Sequence, residues 1–239
     1  MLKSTFKIIA SDCSASRHLK LSSFQKMVQQ ASIQDVINIG ITKEKTLDKG
    51  LLWVISRMTF KIYRVPCYDE KVTLITFPLR RIHYFFPRYY ILKDESGNVL
   101  IQGEGIWTLI DENNRRPINP SDHSICIYKS RGGDKLEKED FSFFLPSFKR
   151  ADKEIVREVL YSDLDLNGHM TNTRYADWAT DLLGDDIFIK AESITFSYLK
   201  EGKLGERIIQ KIQKDSSDVL IQGIDESSLK SVFEVYLTY

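Results

Sequence analysis

Residues 161–183 read YSDLDLNGHMTNTRYADWATDLL, and a similar pattern occurs earlier in the chain, at residues 10–32, as ASDCSASRHLKLSSFQKMVQQAS. Ser, Asp and His recur in the same register in both stretches, and the apolar positions that follow also coincide. A second, shorter match pairs Met58, Thr59 and Phe60 with Ile194, Thr195 and Phe196. Because both matches fall at equivalent points of similar patterns, we predict that the chain is a duplicated unit.

Each copy is predicted to contain one long helix followed by several strands. Apolar residues at helical spacing predict helices over residues 22–39, after a Ser cap, and over residues 171–183. The β-branched and aromatic runs predict strands at residues 6–10, 52–63, 72–79, 84–92, 99–110, 155–161, 187–198, 207–212, 219–224 and 231–238. This order predicts an α+β fold with two long helices, each packed on an antiparallel sheet, and sheets that join edge to edge.

The two copies are separated by a stretch without a sustained period. Residues 128–150 carry a Gly pair, a charge run and one Pro, which predicts a linker or a partly ordered strap. We therefore predict an N-terminal domain at residues 1–130, a linker at residues 131–150 and a C-terminal domain at residues 151–239.

Composition excludes several classes of protein. The 239 residues include 34 Lys and Arg against 33 Asp and Glu, a net charge of +1, so we predict binding to neither nucleic acid nor a membrane surface. The three cysteines, Cys13, Cys67 and Cys126, show no C-x-x-C spacing, which favours a reducing compartment. The longest apolar run, residues 51–55, is too short to span a bilayer, and the N-terminus has no signal-peptide core. We expect a cytoplasmic protein.

The second copy carries the residues best suited to chemistry. Asp165, Asn167 and His169 stand at i, i+2 and i+4 before a predicted helix, so in an extended segment their side chains share one face. Together they could orient a carbonyl group, activate water and move a proton, while backbone N–H groups near Gly168 and Met170 stabilise an oxyanion.

Other interpretations of these residues remain open. Asp and Asn are common turn and cap residues, and a metal site would need further ligands that no His or Cys cluster supplies. We predict no metal and no cofactor. The first copy has Ser14 and Ser16 in place of the acid and the amide, so a functional site is expected once per chain and His18 is interpreted as a structural remnant.

The stretch at residues 161–183, followed by SITFSYLKEG at 193–202, resembles the acyl-ACP thioesterases of plants and bacteria, a double hotdog family. GLLWVISRMTFKIYRVPCYDEKVTLIT at 50–76 and GEGIWTLIDENNRRP at 103–117 follow in the family's order. The resemblance covers nearly the whole chain and implies a tandem double hotdog fold. It also implies hydrolysis of acyl-ACP to free fatty acid and holo-ACP in fatty acid synthesis.

Carried over by position, the family's catalytic residues fall on Asp165, Asn167, His169 and Glu201. Many plant members have a Cys after that Glu, whereas this chain has Gly202, which weighs against a cysteine nucleophile.

The resemblance further implies that the first half of the chain selects the substrate. This half has no acidic residue at the position that the second match aligns with Glu201, where it has Val65. The apolar face of the first helix then becomes the expected acyl-chain wall, with ordinary core packing as the alternative; its residues are Met27, Val28, Ala31 and Val36. Acyl carrier protein is strongly acidic, so the basic Arg115 and Arg116 are candidates for docking it.

The sequence leaves open the carrier of the acyl group, whether the protein is catalytic, and its oligomeric state. An acyl-CoA thioesterase would share the catalytic residues, and a non-catalytic acyl-binding module would be expected to have lost the acidic ones. Because two joined units already form a pair, a monomer is plausible and a homodimer remains possible.

Overall fold

The computed structural model describes residues 1–120, 145–184 and 186–239. Within them the helices are α1 (Leu21–Asn38), α2 (Asn172–Leu183) and the short α3 (Asp186–Lys190). The strands in the same part of the chain are β1 (Leu2–Lys7), β2 (Leu51–Ile62), β3 (Lys71–Pro78), β4 (Phe85–Lys93), β5 (Val99–Asp111), β6 (Lys153–Glu158), β7 (Ser193–Tyr198), β8 (Arg207–Lys214), β9 (Asp218–Asp225) and β10 (Ser231–Thr238).

All these strands join one antiparallel sheet in the order β1-β3-β4-β5-β2-β7-β10-β9-β8-β6. Read from the opposite edge, the strands β6-β8-β9-β10-β7 of the second copy follow the same order as β1-β3-β4-β5-β2 of the first. The halves meet where β2 pairs with β7, with Thr59 opposite Thr195 and their hydroxyl oxygens 3.1 Å apart. The predicted duplication, the α+β class and the edge-to-edge joining of the sheets are confirmed.

The two long helices lie side by side and share one continuous core with the sheet. Phe24 of α1 packs edge-on against Phe60 of β2, and Tyr175 of α2 packs against Phe233 of β10, at ring-centroid distances of 4.9 and 4.7 Å. Neither helix has a side-chain cap, and Ser22, the predicted cap of the first helix, lies inside α1. Burial of the apolar face therefore stabilises these helices more than capping does.

The loop before each long helix is built twice in the same way. Ser14 N–H donates to His18 O at 2.9 Å, and Asp165 N–H donates to His169 O at 2.8 Å. Arg17 in one copy and Gly168 in the other both have a positive φ, of 65° and 74°. The repeat seen in the sequence is therefore a repeat of backbone geometry, made with different side chains.

Three predicted strands differ from the structure, and one of them, predicted at residues 155–161, lies earlier, as β6. The strand predicted at residues 187–198 begins only at β7, because α3 precedes it and turns Phe188 toward the core, 6.5 Å from the ring of Phe24. The strand predicted at residues 6–10 lies earlier, as β1. Most of the predicted linker lies outside the described residues; its last part, residues 145–150, has no regular structure, and Lys149 N–H donates to the side chain of Gln213 on β8.

Among the described residues, no helix combines the length and the hydropathy needed to cross a bilayer.

Candidate active site

The loop that precedes α2 holds three of the predicted residues in a tight turn. Asp165 Oδ1 accepts the backbone N–H of Asn167 at 2.8 Å and that of His169 at 3.3 Å. The positive φ of Gly168 allows the chain to reverse between them. The expected extended segment is therefore wrong, but the turn brings the same residues together. Asp165 and Asn167 remain exposed to solvent.

A second loop, after β7, brings Glu201 to this turn. Met170 N–H donates to Gly202 O at 2.8 Å, which fastens the two loops to each other. As a result, Glu201 Oε2 lies 3.7 Å from His169 Nε2, within ion-pair range when the imidazole is protonated. The other ring nitrogen, Nδ1, is buried and has no hydrogen-bond partner among the described residues. The contact between Nε2 and Glu201 can therefore orient the imidazole ring.

Gly202 is packed closely against its neighbours. A Cβ added there would lie 3.0 Å from Tyr175 Oη and 3.2 Å from Met170 Cβ. Tyr175 Oη accepts the N–H of Gly202 at 3.2 Å, so the bare backbone allows a direct tie from the loop to α2. A cysteine at this position would require these groups to shift by a few tenths of an ångström.

The predicted oxyanion donors are contradicted by the hydrogen bonds. Gly168 N–H donates to Asp165 O at 3.1 Å, and Met170 N–H donates to Gly202 O at 2.8 Å. Both groups hold the loops in place and are not directed at a substrate. The amide of Asn167 is the better candidate, since its nearest described partner, Asp165 Oδ2, is 3.4 Å from Nδ2.

Arg115, predicted to dock the carrier, also contacts this site, and its docking role stays a prediction. It follows β5 in a turn in which Asp111 Oδ1 accepts the N–H groups of Asn113 and Asn114 at 3.0 and 2.9 Å. Its guanidinium donates from Nη2 to Glu201 Oε1. This hydrogen bond raises the pKa of Arg115, and the charge of Asp165 acts in the same direction.

The first half of the chain therefore contributes a cation to a site that is otherwise built by the second half. Arg116 next to it is exposed, and its role in docking stays a prediction.

An apolar cavity of about 160 Å³ lies at the C-terminal half of α1. Its apolar walls include Ile33, Val36, Ile37, Trp53, Phe86 and Trp107. Of the predicted acyl-chain residues, only Val36 lines it, whereas Met27, Val28 and Ala31 belong to the core, with 6%, 0% and 2% exposure. Those three residues pack in the core of this structure, and their role as an acyl-chain wall stays a prediction.

A larger cleft, of about 480 Å³, lies beside the loop of the first copy. Its lining includes Ser14, Lys26, Asp177 and Asp181, which makes it a poor site for an acyl chain. Elsewhere in the described part of the chain, no three His, Cys, Asp or Glu side chains cluster as metal ligands would.

Known structures share this fold over the whole chain. An acyl-ACP thioesterase from Bacteroides thetaiotaomicron VPI-5482 matches with a TM-score of 0.80 and 17% identity, and a 12:0-ACP thioesterase from Umbellularia californica with 0.81 and 19%. Each match covers 99% of this chain and 96% of the known one. At these identities the likeness is one of fold, and it defines a double hotdog protein.

Comparison of the sequence with family profiles identifies the family. The profile of the acyl-ACP thioesterase N-terminal domain matches residues 1–128, and that of the C-terminal domain matches residues 148–235. The chain belongs to the acyl-ACP thioesterase family.

A chloroplastic palmitoyl-acyl carrier protein thioesterase of Cuphea hookeriana is 20% identical over 216 residues. This match covers 84% of the present chain and 52% of the relative, so the chain spans about half the length of the curated relatives it matches.

Proposed function

We propose that this protein hydrolyses acyl-ACP thioesters to free fatty acid and holo-ACP. The observation that carries the proposal is the position of Glu201, next to His169 and beside the turn of Asp165. The first copy builds the same loops with Val65 and Ser14 at the matching places, so the acidic groups are not required by the backbone. Since the fold does not require Asp165 and Glu201, their position near His169 favours a catalytic role for them.

In this mechanism Glu201 and His169 take a proton from water, whose oxygen attacks the thioester carbonyl carbon. The carbon–sulfur bond then breaks, the thiolate of the carrier leaves, and the proton held by the Glu201–His169 pair passes to that thiolate. Arg115 holds the Glu201 carboxylate beside the imidazole, and the Asn167 amide donates to the carbonyl oxygen. Asp165 fixes the turn and, together with Glu201 and His169, takes part in activating the water.

The division of labour between the halves is part of the proposal. The C-terminal domain, at residues 151–239, supplies the acid, amide and imidazole groups, and the N-terminal domain, at residues 1–130, selects the acyl chain. β5 serves both, because Trp107 lines the apolar cavity and the turn after the strand carries Arg115.

A panel of acyl-ACPs of varied chain length, with the matching acyl-CoAs alongside, tests the proposal. We expect release of free fatty acid from one range of acyl-ACPs, at higher kcat/KM than from the acyl-CoAs. Preference for the CoA esters would favour the rival acyl-CoA thioesterase. Tight binding of acyl chains with no release from either carrier would favour a binding module and contradict the proposal.

Loss of the Arg115 cation is expected to slow hydrolysis. A hydrogen bond to a charged group contributes about 1.5–3 kcal/mol, and because both partners are partly exposed we expect Arg115→Gln to lower kcat/KM by about tenfold. The measurement uses an acyl-N-acetylcysteamine substrate, so that carrier docking does not contribute. Arg115→Lys should recover part of the rate. The neighbouring Arg116→Gln is the control, and equal rates for the two Gln variants would contradict the positioning role.

Filling the apolar cavity is expected to shorten the preferred acyl chain. Val36→Phe places a ring in the cavity, and each methylene that no longer fits costs about 1–3 kcal/mol. Relative kcat/KM across the acyl-ACP panel measures the shift. Val156→Phe, on the exposed strand β6, is the matched control. An unchanged chain-length profile in the Val36 variant would place the acyl chain elsewhere.

The oligomeric state, monomer or homodimer, and the cytoplasmic location belong to the same proposal. Relatives such as the Cuphea hookeriana thioesterase are described as chloroplastic, and a processed plastid protein would carry the same site.

A further inference from the structure

Two large apolar side chains stand almost fully in solvent beside the candidate site. Tyr161 is 82% exposed and Leu166 is 81% exposed. Both belong to the loop that carries Asp165 and His169, and Leu166 lies at the tip of its tight turn, between Asp165 and Asn167. Single exposed apolar residues are common on proteins, so exposure alone gives them no role.

The first copy provides an internal control for this loop. Its backbone makes most of the same hydrogen bonds as that of the second copy, yet it has Ala10 where the second copy has Tyr161 and Ala15 where it has Leu166. Both alanines are exposed. The loop therefore folds without large apolar side chains at these positions, and Tyr161 and Leu166 are absent from the copy that lacks the acidic site.

The same comparison separates these residues from other exposed apolar ones nearby. Leu160 is matched by Ile9, and Leu204 by Tyr68, and all four are exposed by between 52% and 57%. Because those positions are apolar in both copies, they are a common feature of the repeated unit and are not specific to the copy with the acidic site.

A charge is also specific to the second copy. The exposed Lys203 stands where the first copy has the half-buried Cys67. The backbone of Lys203 forms a bridge with that of His169, as the backbone of Cys67 does with that of His18. Tyr161, Leu166 and Lys203 thus lie on the two joined loops that carry His169 and Glu201.

We propose that Tyr161, Leu166 and Lys203 form the surface on which the body of acyl carrier protein docks. This inference rests on the proposed function and is independent of the docking role predicted for Arg115 and Arg116. An acidic partner suits an exposed lysine, and exposed Tyr and Leu side chains at the rim of a site provide contact area that a folded partner buries. In the proposed function the acyl chain enters the apolar cavity beside α1, so it does not need these side chains.

Direct binding of apo acyl carrier protein, which lacks the phosphopantetheine arm, tests the surface. The double variant Tyr161→Ala/Leu166→Ala carries the residues that the first copy already has, so the loop should fold. We expect its Kd for apo-ACP to rise by at least about tenfold, as for the central residues of an interface. Its kcat/KM for an acyl-N-acetylcysteamine thioester should stay within about twofold of the original, since the site groups that act on the thioester are untouched.

Lys203→Glu should also weaken binding, and this effect should shrink as salt is added. The control is Tyr68→Ala, an exposed tyrosine on the equivalent loop of the first copy, which should leave apo-ACP binding unchanged.

Three results would overturn the inference. One is apo-ACP binding that the double variant leaves unchanged, and another is no binding of apo-ACP by the unsubstituted protein. The third is an equal loss on acyl-ACP and on the small thioester, which would mean that the two side chains contact the acyl group or the arm. Failure of the proposed function looks different: the unsubstituted protein would hydrolyse no thioester, while the binding measurement still decides whether the surface docks the carrier.

Discussion

Replacement of Asp165 by Ser is expected to lower the rate of thioester hydrolysis by about 10²- to 10⁴-fold, the range typical of a group that takes part in acid–base catalysis. Serine is the residue that the first copy has at the matching position, Ser14, in a loop with the same backbone hydrogen bonds. The carboxylate is therefore removed without removing the turn. Fatty acid release from acyl-ACP measures the rate, and thermal unfolding checks that the fold is retained.

The reverse substitution in the first copy is the matched control. Ser14→Asp adds a carboxylate to the equivalent loop, but Val65 stands there in place of Glu201, so no second site forms. We expect Ser14→Asp to leave the rate unchanged, with the Asp165→Ser variant nearly inactive. An Asp165→Ser protein that folds and keeps its full rate would show that Asp165 is only a turn residue.

The repeat was visible in the sequence because loops with fixed geometry keep a few side chains at fixed places. Asp12 and Asp163 occupy the same place in the two loops, where the backbone O of each accepts the N–H of the residue before the helix, at 2.8 and 2.9 Å. The helix α3 was missed for the opposite reason: it has five residues and an apolar sequence that also suits a strand. Packing of Phe188 against Phe24, far apart in sequence, decides between them.

The candidate site was predictable where its residues are neighbours in sequence. Asp165, Asn167 and His169 form one motif, whereas the contact between Arg115 and Glu201 spans 86 positions and depends on how the two halves meet. Likewise, the apolar face of α1 gave no means to separate Val28 from Val36. Val28 packs in the core and Val36 lines a cavity, and this difference depends on the residues that pack opposite each of them.

Loss of the cation at Arg88 is expected to have the largest effect on stability. Arg88 on β4 donates to Asp35 Oδ2 on α1 at 2.8 Å and to Thr76 Oγ1 at 3.1 Å. The two charged side chains are only 4% and 6% exposed. Removing Arg88 leaves the buried Asp35 carboxylate with only the more distant, partly exposed amino group of Met1, at 3.8 Å, so we expect Arg88→Met to lower the free energy of unfolding by about 3–5 kcal/mol. Urea unfolding measures the change.

Two further variants decide whether the buried charge is the cause. Arg80→Met removes an exposed arginine close by in sequence and should change the free energy of unfolding by less than about 0.5 kcal/mol. Arg88→Met/Asp35→Leu removes both charges, and apolar replacement of a whole buried pair is often neutral, so we expect this double variant to be more stable than Arg88→Met alone. If the double variant were the less stable one, the loss would come from packing of the arginine side chain, and the pair would matter for its shape and not for its charge.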